Sequence, residues 1–166
     1  MTLSYYSNPI LPLYRYTDGS KSTDTNTTSC AVVIPELDLE KAWTLTTNSS
    51  VFSAELQAIK LALKIIYDLD PSPASSIIFS DSSSAIKAII ASNPSSNEVI
   101  PEIRELLHSL KSSGTQTTLA WIPSHTGIEG NERADHLAGI QCTINTDPHI
   151  NNSLSSEEKI ALFRKH

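Results

Sequence analysis

Residues 76–91 read Ser-Ile-Ile-Phe-Ser-Asp-Ser-Ser-Ser-Ala-Ile-Lys-Ala-Ile-Ile-Ala. The first five residues are a short apolar run of the kind that forms a buried strand. From Ser82 to Ala91 the chain reads as a short helix, stopped near Pro94. Asp81 therefore stands where a strand gives way to a helix. In open α/β sheets, sites gather at the carboxyl ends of strands. Taken alone, an aspartate here is equally the N-cap of the helix that follows.

On the N-terminal side of this unit lies a helix over 52–69, ended by Pro71 and Pro73. Before it come three candidate strands at 13–17, 30–34 and 42–47. The polar stretch 20–29 and the turn 35–40 separate them, which suggests an antiparallel meander. On the C-terminal side follow a helix over 98–112, a strand over 117–122 and a helix over 129–139. The order βββαβααβα predicts an α/β fold built on a five-stranded mixed sheet, its first three strands antiparallel, flanked by helices.

The 166 residues suit one domain able to bury its own core. The expected organisation is a lead-in over 1–12, a domain over 13–140, and a tail over 141–166. That tail combines a polar linker with a short helix opened by the capping box Ser155-x-x-Glu158. A net charge of −6 is not the footprint of a protein that grips nucleic acid by bulk positive charge. Cys30 and Cys142 form no CxxC pair, so a zinc ribbon is excluded and two reduced thiols are expected. The N-terminus lacks a signal-peptide pattern, and no apolar run approaches the ~18 residues of a membrane span. The expectation is a soluble, intracellular monomer, with nucleus or cytoplasm left open.

Among the titratable residues, Glu55 carries the most information. Helical spacing puts Phe52, Leu56, Ile59, Ala62, Leu63, Ile66 and Leu69 on one apolar arc, with Glu55 among them. Gln57, Lys60, Lys64 and Asp68 fall on the opposite arc. A carboxylate facing a core is costly unless it is paired or binds a metal. Asp18-Gly19 after a strand is by itself a turn signal. Asp135 beside Ala134, Leu137 and Ala138 reads by itself as a helix carboxylate, and His125 as a surface histidine. Jointly, two strand-end aspartates, a core-facing glutamate and a fourth carboxylate would repel each other and raise their own pKa values. An all-oxygen set of this kind suits Mg²⁺ or Mn²⁺. A Ser–His–Asp hydrolase lacks its G-x-S-x-G elbow here.

Four blocks now carry a resemblance: Tyr16-Thr-Asp-Gly-Ser20, Ser53-Ala-Glu-Leu-Gln-Ala-Ile59, Phe79-Ser-Asp-Ser-Ser83, and Trp121-Ile-Pro-Ser-His-Thr-Gly-Ile-Glu-Gly-Asn-Glu-Arg-Ala-Asp-His-Leu-Ala138. In this order they resemble the type 1 ribonucleases H, above all the RNase H domains of non-LTR retrotransposon reverse transcriptases. The resemblance implies an RNase H-like fold and two-metal endonucleolytic hydrolysis of the RNA strand of RNA–DNA hybrids, giving 5′-phosphate and 3′-hydroxyl ends. It assigns two Mg²⁺ ions, with Mn²⁺ as substitute, to Asp18, Glu55, Asp81 and Asp135. It makes His125 a catalytic histidine that aids proton transfer or product release. Gly19 and Ser20 become contacts to the RNA sugar edge, and Ser50 a contact to a DNA phosphate. Lys21, Lys60, Lys64, Lys87 and Arg133 are candidate basic contacts.

The chain passes from Ile90 to Glu98 straight into the next helix, without the basic protrusion of some cellular members. That implies tethering to a reverse transcriptase domain, in cis or in trans. Two other functions remain open at this point. One is a nuclease of the same superfamily acting on DNA, and the other a catalytically inactive nucleic-acid-binding scaffold.

Overall fold

The computed structural model describes residues 12–45 and 48–144. The expected tail helix over 155–165 and most of the linker lie outside the described residues. The strands are β1 (Leu13–Lys21), β2 (Thr28–Ile34), β3 (Leu39–Thr44), β4 (Ser75–Ser80) and β5 (Gln116–Trp121). The helices are α1 (Val51–Tyr67), α2 (Ser83–Ile90), α3 (Val99–Ser112) and α4 (Glu129–Thr143). They follow the expected order βββαβααβα, and the strands form one mixed sheet in the order β3-β2-β1-β4-β5. β1, β2 and β3 are antiparallel, while β1–β4 and β4–β5 are parallel.

Several boundaries differ from the sequence reading. β1 does not end at Asp18-Gly19 but continues to Lys21, because its pairing with β2 runs on to Lys21↔Thr28. β3 begins at Leu39, pairing with Ile34 right after a short 3₁₀ turn over Pro35–Leu37, so the turn is tighter than expected. α4 runs to Thr143, past the expected domain limit at 140. Its end is anchored where Thr25 donates to the Cys142 carbonyl and Gln141 to Thr44 Oγ1. Cys30 and Cys142 are both free and buried, as expected of reduced thiols.

Two glycines set how closely the layers approach. A Cβ at Gly19 would lie 2.5 Å from the Glu55 nitrogen, and one at Gly130 would lie 2.2 Å from the Tyr16 ring. Residues 16 and 19 of one strand point to opposite faces. α1 therefore packs on one side of β1 and α4 on the other, and the sheet is sandwiched between them.

α1 is buried on more than one face, since it also packs against α3. This overturns the expected position of Lys60. It is not on a solvated arc and is no candidate contact to nucleic acid. The residue is 2% exposed, with Nζ 2.7 Å from Glu102 Oε2 of α3.

Candidate active site

The parallel register pairs Thr17 of β1 with Ser80 of β4 and stops there. The next residues, Asp18, still within β1, and Asp81, just past β4, thus stand at the same level, at the carboxyl end of β4. α1 starts above this point. Ser50 caps it, its hydroxyl accepting from the Ser53 amide and donating to Ser53 Oγ. One turn on, Glu55 enters at Gly19, where only a glycine leaves room for the α1 backbone. A carboxylate oxygen from each of Asp18, Glu55 and Asp81 lies within 4.8 Å of the other two.

This closeness has an electrostatic consequence. Burial, followed by the charges of Asp81 and Asp135, raises Asp18 to about 7. Burial, followed by Asp18 and Asp81, raises Glu55 to about 9. Only the Gly19 backbone N–H and, for Asp18, His125 pull the other way. Glu55 Oε2 is buried with no hydrogen-bond partner. A shielded, unpartnered oxygen among crowded carboxylates fits a divalent cation, which would supply both the missing partner and the missing positive charge.

Asp81 is not the N-cap of α2. Ser82 caps it, its Oγ accepting from the Ala85 amide. The Asp81 carboxylate instead accepts from Asn131 Nδ2 at 3.5 Å, and its backbone carbonyl accepts from Trp121 Nε1 at 3.0 Å. Asn131 is buried, and its Oδ1 has no partner. Neither residue stands out in the sequence as a site residue. The signal for Asn131 is its spacing: four residues before Asp135, it shares that residue's face of α4.

Asp135 belongs to a second group. Its carboxylate, His125 and Glu132 bring ligand atoms within 4.8 Å of one another, and His125 Nδ1 is 3.9 Å from Asp135 Oδ2. Asp135 nonetheless acts on Asp18 and Glu55 through its charge. Glu132, unremarked in the sequence, also accepts from the Gly127 amide and so ties down the loop that carries His125. His125 itself has a left-handed backbone (φ 52°) and is largely exposed.

The expected substrate-side residues lie at the same edge. Gly19 is buried under α1 and Ser20 is half-buried beside it, while Ser50 is engaged as the helix cap. Lys21 Nζ donates to the Ser49 carbonyl. Arg133 is tied to Glu40 and Glu129.

A family model for RNase H matches residues 12–143. The chain belongs to the RNase H family. The matched span begins just before β1 and ends with α4, so it contains the sheet and both carboxylate groups. Cleavage of RNA–DNA hybrids with divalent metal ions is the reaction general to this RNase H family, and the acidic cluster is compatible with it. Among the described residues, no helix is long and apolar enough to cross a membrane.

Proposed function

We propose that this chain is a type 1 RNase H that cuts the RNA strand of RNA–DNA hybrids endonucleolytically, leaving 5′-phosphate and 3′-hydroxyl ends. The single observation that carries the proposal is the meeting of Asp18, Glu55 and Asp81 within 4.8 Å, with a buried carboxylate oxygen left unpartnered. Asp18, Glu55, Asp81 and Asp135 would hold two Mg²⁺ ions, with Mn²⁺ as substitute. Ions bound there supply a nucleophilic water and neutralise charge at the scissile phosphate.

The protein's own part is positional. The β1–β4 register fixes Asp18 against Asp81, and the close approach of α1 at Gly19 fixes Glu55 over both. His125 stands in the solvent at the rim, next to Asp135, where it can pass a proton to or from the leaving oxygen. RNA is told from DNA by its 2′-hydroxyls across a shallow minor groove, with Gly19 and Ser20 facing the sugars and Ser50 a DNA phosphate. With a net charge of −6, binding by the isolated chain should be weak and salt-sensitive.

The long final sequence block supports descent from non-LTR retrotransposon enzymes. A reverse transcriptase domain, in cis or in trans, would then bring the hybrid to this monomeric domain inside the cell, in nucleus or cytoplasm. The deciding experiment incubates end-labelled hybrid, duplex DNA and duplex RNA with Mg²⁺, with and without EDTA, beside the Asp81→Asn variant. Hybrid should be cut by the native protein alone, with a loss on the order of 10³-fold or more in the variant, as several kcal/mol of lost charge stabilisation implies. Equal cutting of duplex DNA would move the chain to a DNA-acting enzyme. No cutting of any substrate would leave a scaffold.

A further inference from the structure

We infer that Trp121 packs against a sugar of the bound hybrid, beside the phosphate that is cut. The inference rests on the function proposed above and adds a substrate contact to it. Trp121 ends β5 opposite Ser80, so its ring sits one residue from the metal-binding end of β4. The residue is 56% exposed. Single exposed apolar residues need no explanation in general. Trp121 differs from the other exposed large apolar residues, among them Tyr67, Ile90 and Ile140, in what holds it. Its Nε1–H donates to the Asp81 backbone carbonyl at 3.0 Å, so a carboxylate residue of the site fixes the ring's edge.

That bond satisfies the polar edge of the indole, while more than half of the residue stays open to solvent. A ring already held loses little conformational entropy when a partner covers it. The following loop residues Pro123, Ser124 and His125 are also exposed. The charge balance gives such a contact a reason to matter. A chain with 18 acidic and 12 basic residues has little positive charge for phosphates, so a larger share of affinity must come from contacts to sugars and bases. Base faces inside a duplex are already stacked on their neighbours, so the ring would lie against a sugar lining the groove, a contact that suits an enzyme reading no sequence.

The test uses the full chain carrying Asp81→Asn, in which hybrid stays intact. The protein has two tryptophans, Trp43 and Trp121, so intrinsic fluorescence reports on the contact directly. Hybrid should quench the parent. Adding Trp121→Phe, which keeps a ring but loses the N–H, should abolish most of that quench while holding the Kd within about threefold. Trp121→Ala should raise the Kd by roughly tenfold, the cost of losing one covered apolar side chain, with thermal denaturation checking that the variant is folded. A quench that survives in Trp121→Phe, or a Kd unchanged in folded Trp121→Ala, overturns the inference and leaves Trp121 only a brace for Asp81. If hybrid neither binds the parent nor is cut by the native protein, the proposed function itself falls.

Discussion

A Cβ placed on Gly19 would lie 2.5 Å from the Glu55 amide nitrogen, closer than any real contact of that kind. The atoms in the way, the Glu55 nitrogen and the Ala54 carbonyl carbon, are backbone and cannot rotate aside. Gly19→Ala must therefore lift the start of α1 from β1. We expect a loss of about 1–3 kcal/mol from overpacking. Cleavage should fall further, by about a hundred-fold if Glu55 moves by an ångström. Thermal melts and hybrid cleavage on the same preparation check both, and a melt and rate like the native protein's would contradict the close approach.

Stability should depend on pH in an unusual direction when metal is removed. Unfolded, the two carboxyls ionise near 3.8 and 4.5, but folded they do so at about 7 for Asp18 and about 9 for Glu55. The folded state thus holds protons that the unfolded state has released. Their contribution is full below the unfolded values and is lost as pH rises through the folded ones. With EDTA, the melting temperature should fall between about pH 5 and about pH 9. Saturating Mg²⁺ or Mn²⁺ should restore most of the loss at the alkaline end, and its binding should release protons measurable by calorimetry in buffers of different ionisation enthalpy. A chelated protein that gains stability across this range would show that the cluster is not crowded.

Asn131 gives a prediction about metal without a ligand atom of its own. Its Nδ2 reaches Asp81, while its Oδ1 is buried and unpartnered, so removing the amide loses one donor and also one unsatisfied acceptor. Asn131→Ala should change stability little. It should weaken divalent-ion affinity by about 10- to 100-fold, the usual cost of losing a group that orients a ligand. Calorimetric titration with Mn²⁺ measures this, and saturating metal should recover most of the rate.

Lys60 lies at 2% exposure against Glu102 of α3. Replacing a buried cation by an apolar chain of similar length is often neutral or stabilising. Glu102, being half-exposed, keeps its water. Lys60→Met should leave hybrid affinity and its salt dependence unchanged and the melting temperature equal or higher. A reduced salt slope would return Lys60 to the phosphate contacts.

The difference between Glu55 and Lys60 marks where sequence reasoning stops. Both lie on one helix, and periodicity placed Glu55 on the apolar arc, where it is found. The same periodicity put Lys60 in water, because a helical wheel knows one buried face and α3 supplies another. Asp81 is legible as a strand-end residue, whereas Asp18 lies inside β1, which runs on to Lys21. Their equal height is not legible, since it depends on the β1–β4 register. The end of β1 was misjudged at a turn-forming Asp-Gly because pairing with β2 outweighs local turn preference. Asn131 and Glu132 look like ordinary polar helix residues. Their roles come from tertiary contacts, Asn131 with Asp81 and Glu132 with the Gly127 amide.

The junction of β4 and α2 holds two neighbouring residues that are both good at capping the start of a helix, and only one is used for it. Ser82 does that job, so its neighbour keeps both oxygens for other partners. Swapping their order, Asp81→Ser with Ser82→Asp, would conserve composition, net charge and a good N-cap for α2 while removing an anion from the cluster. Two adjacent cap-competent residues at a strand-to-helix step are thus a redundancy worth searching for in other sequences, because the spare one is available for chemistry.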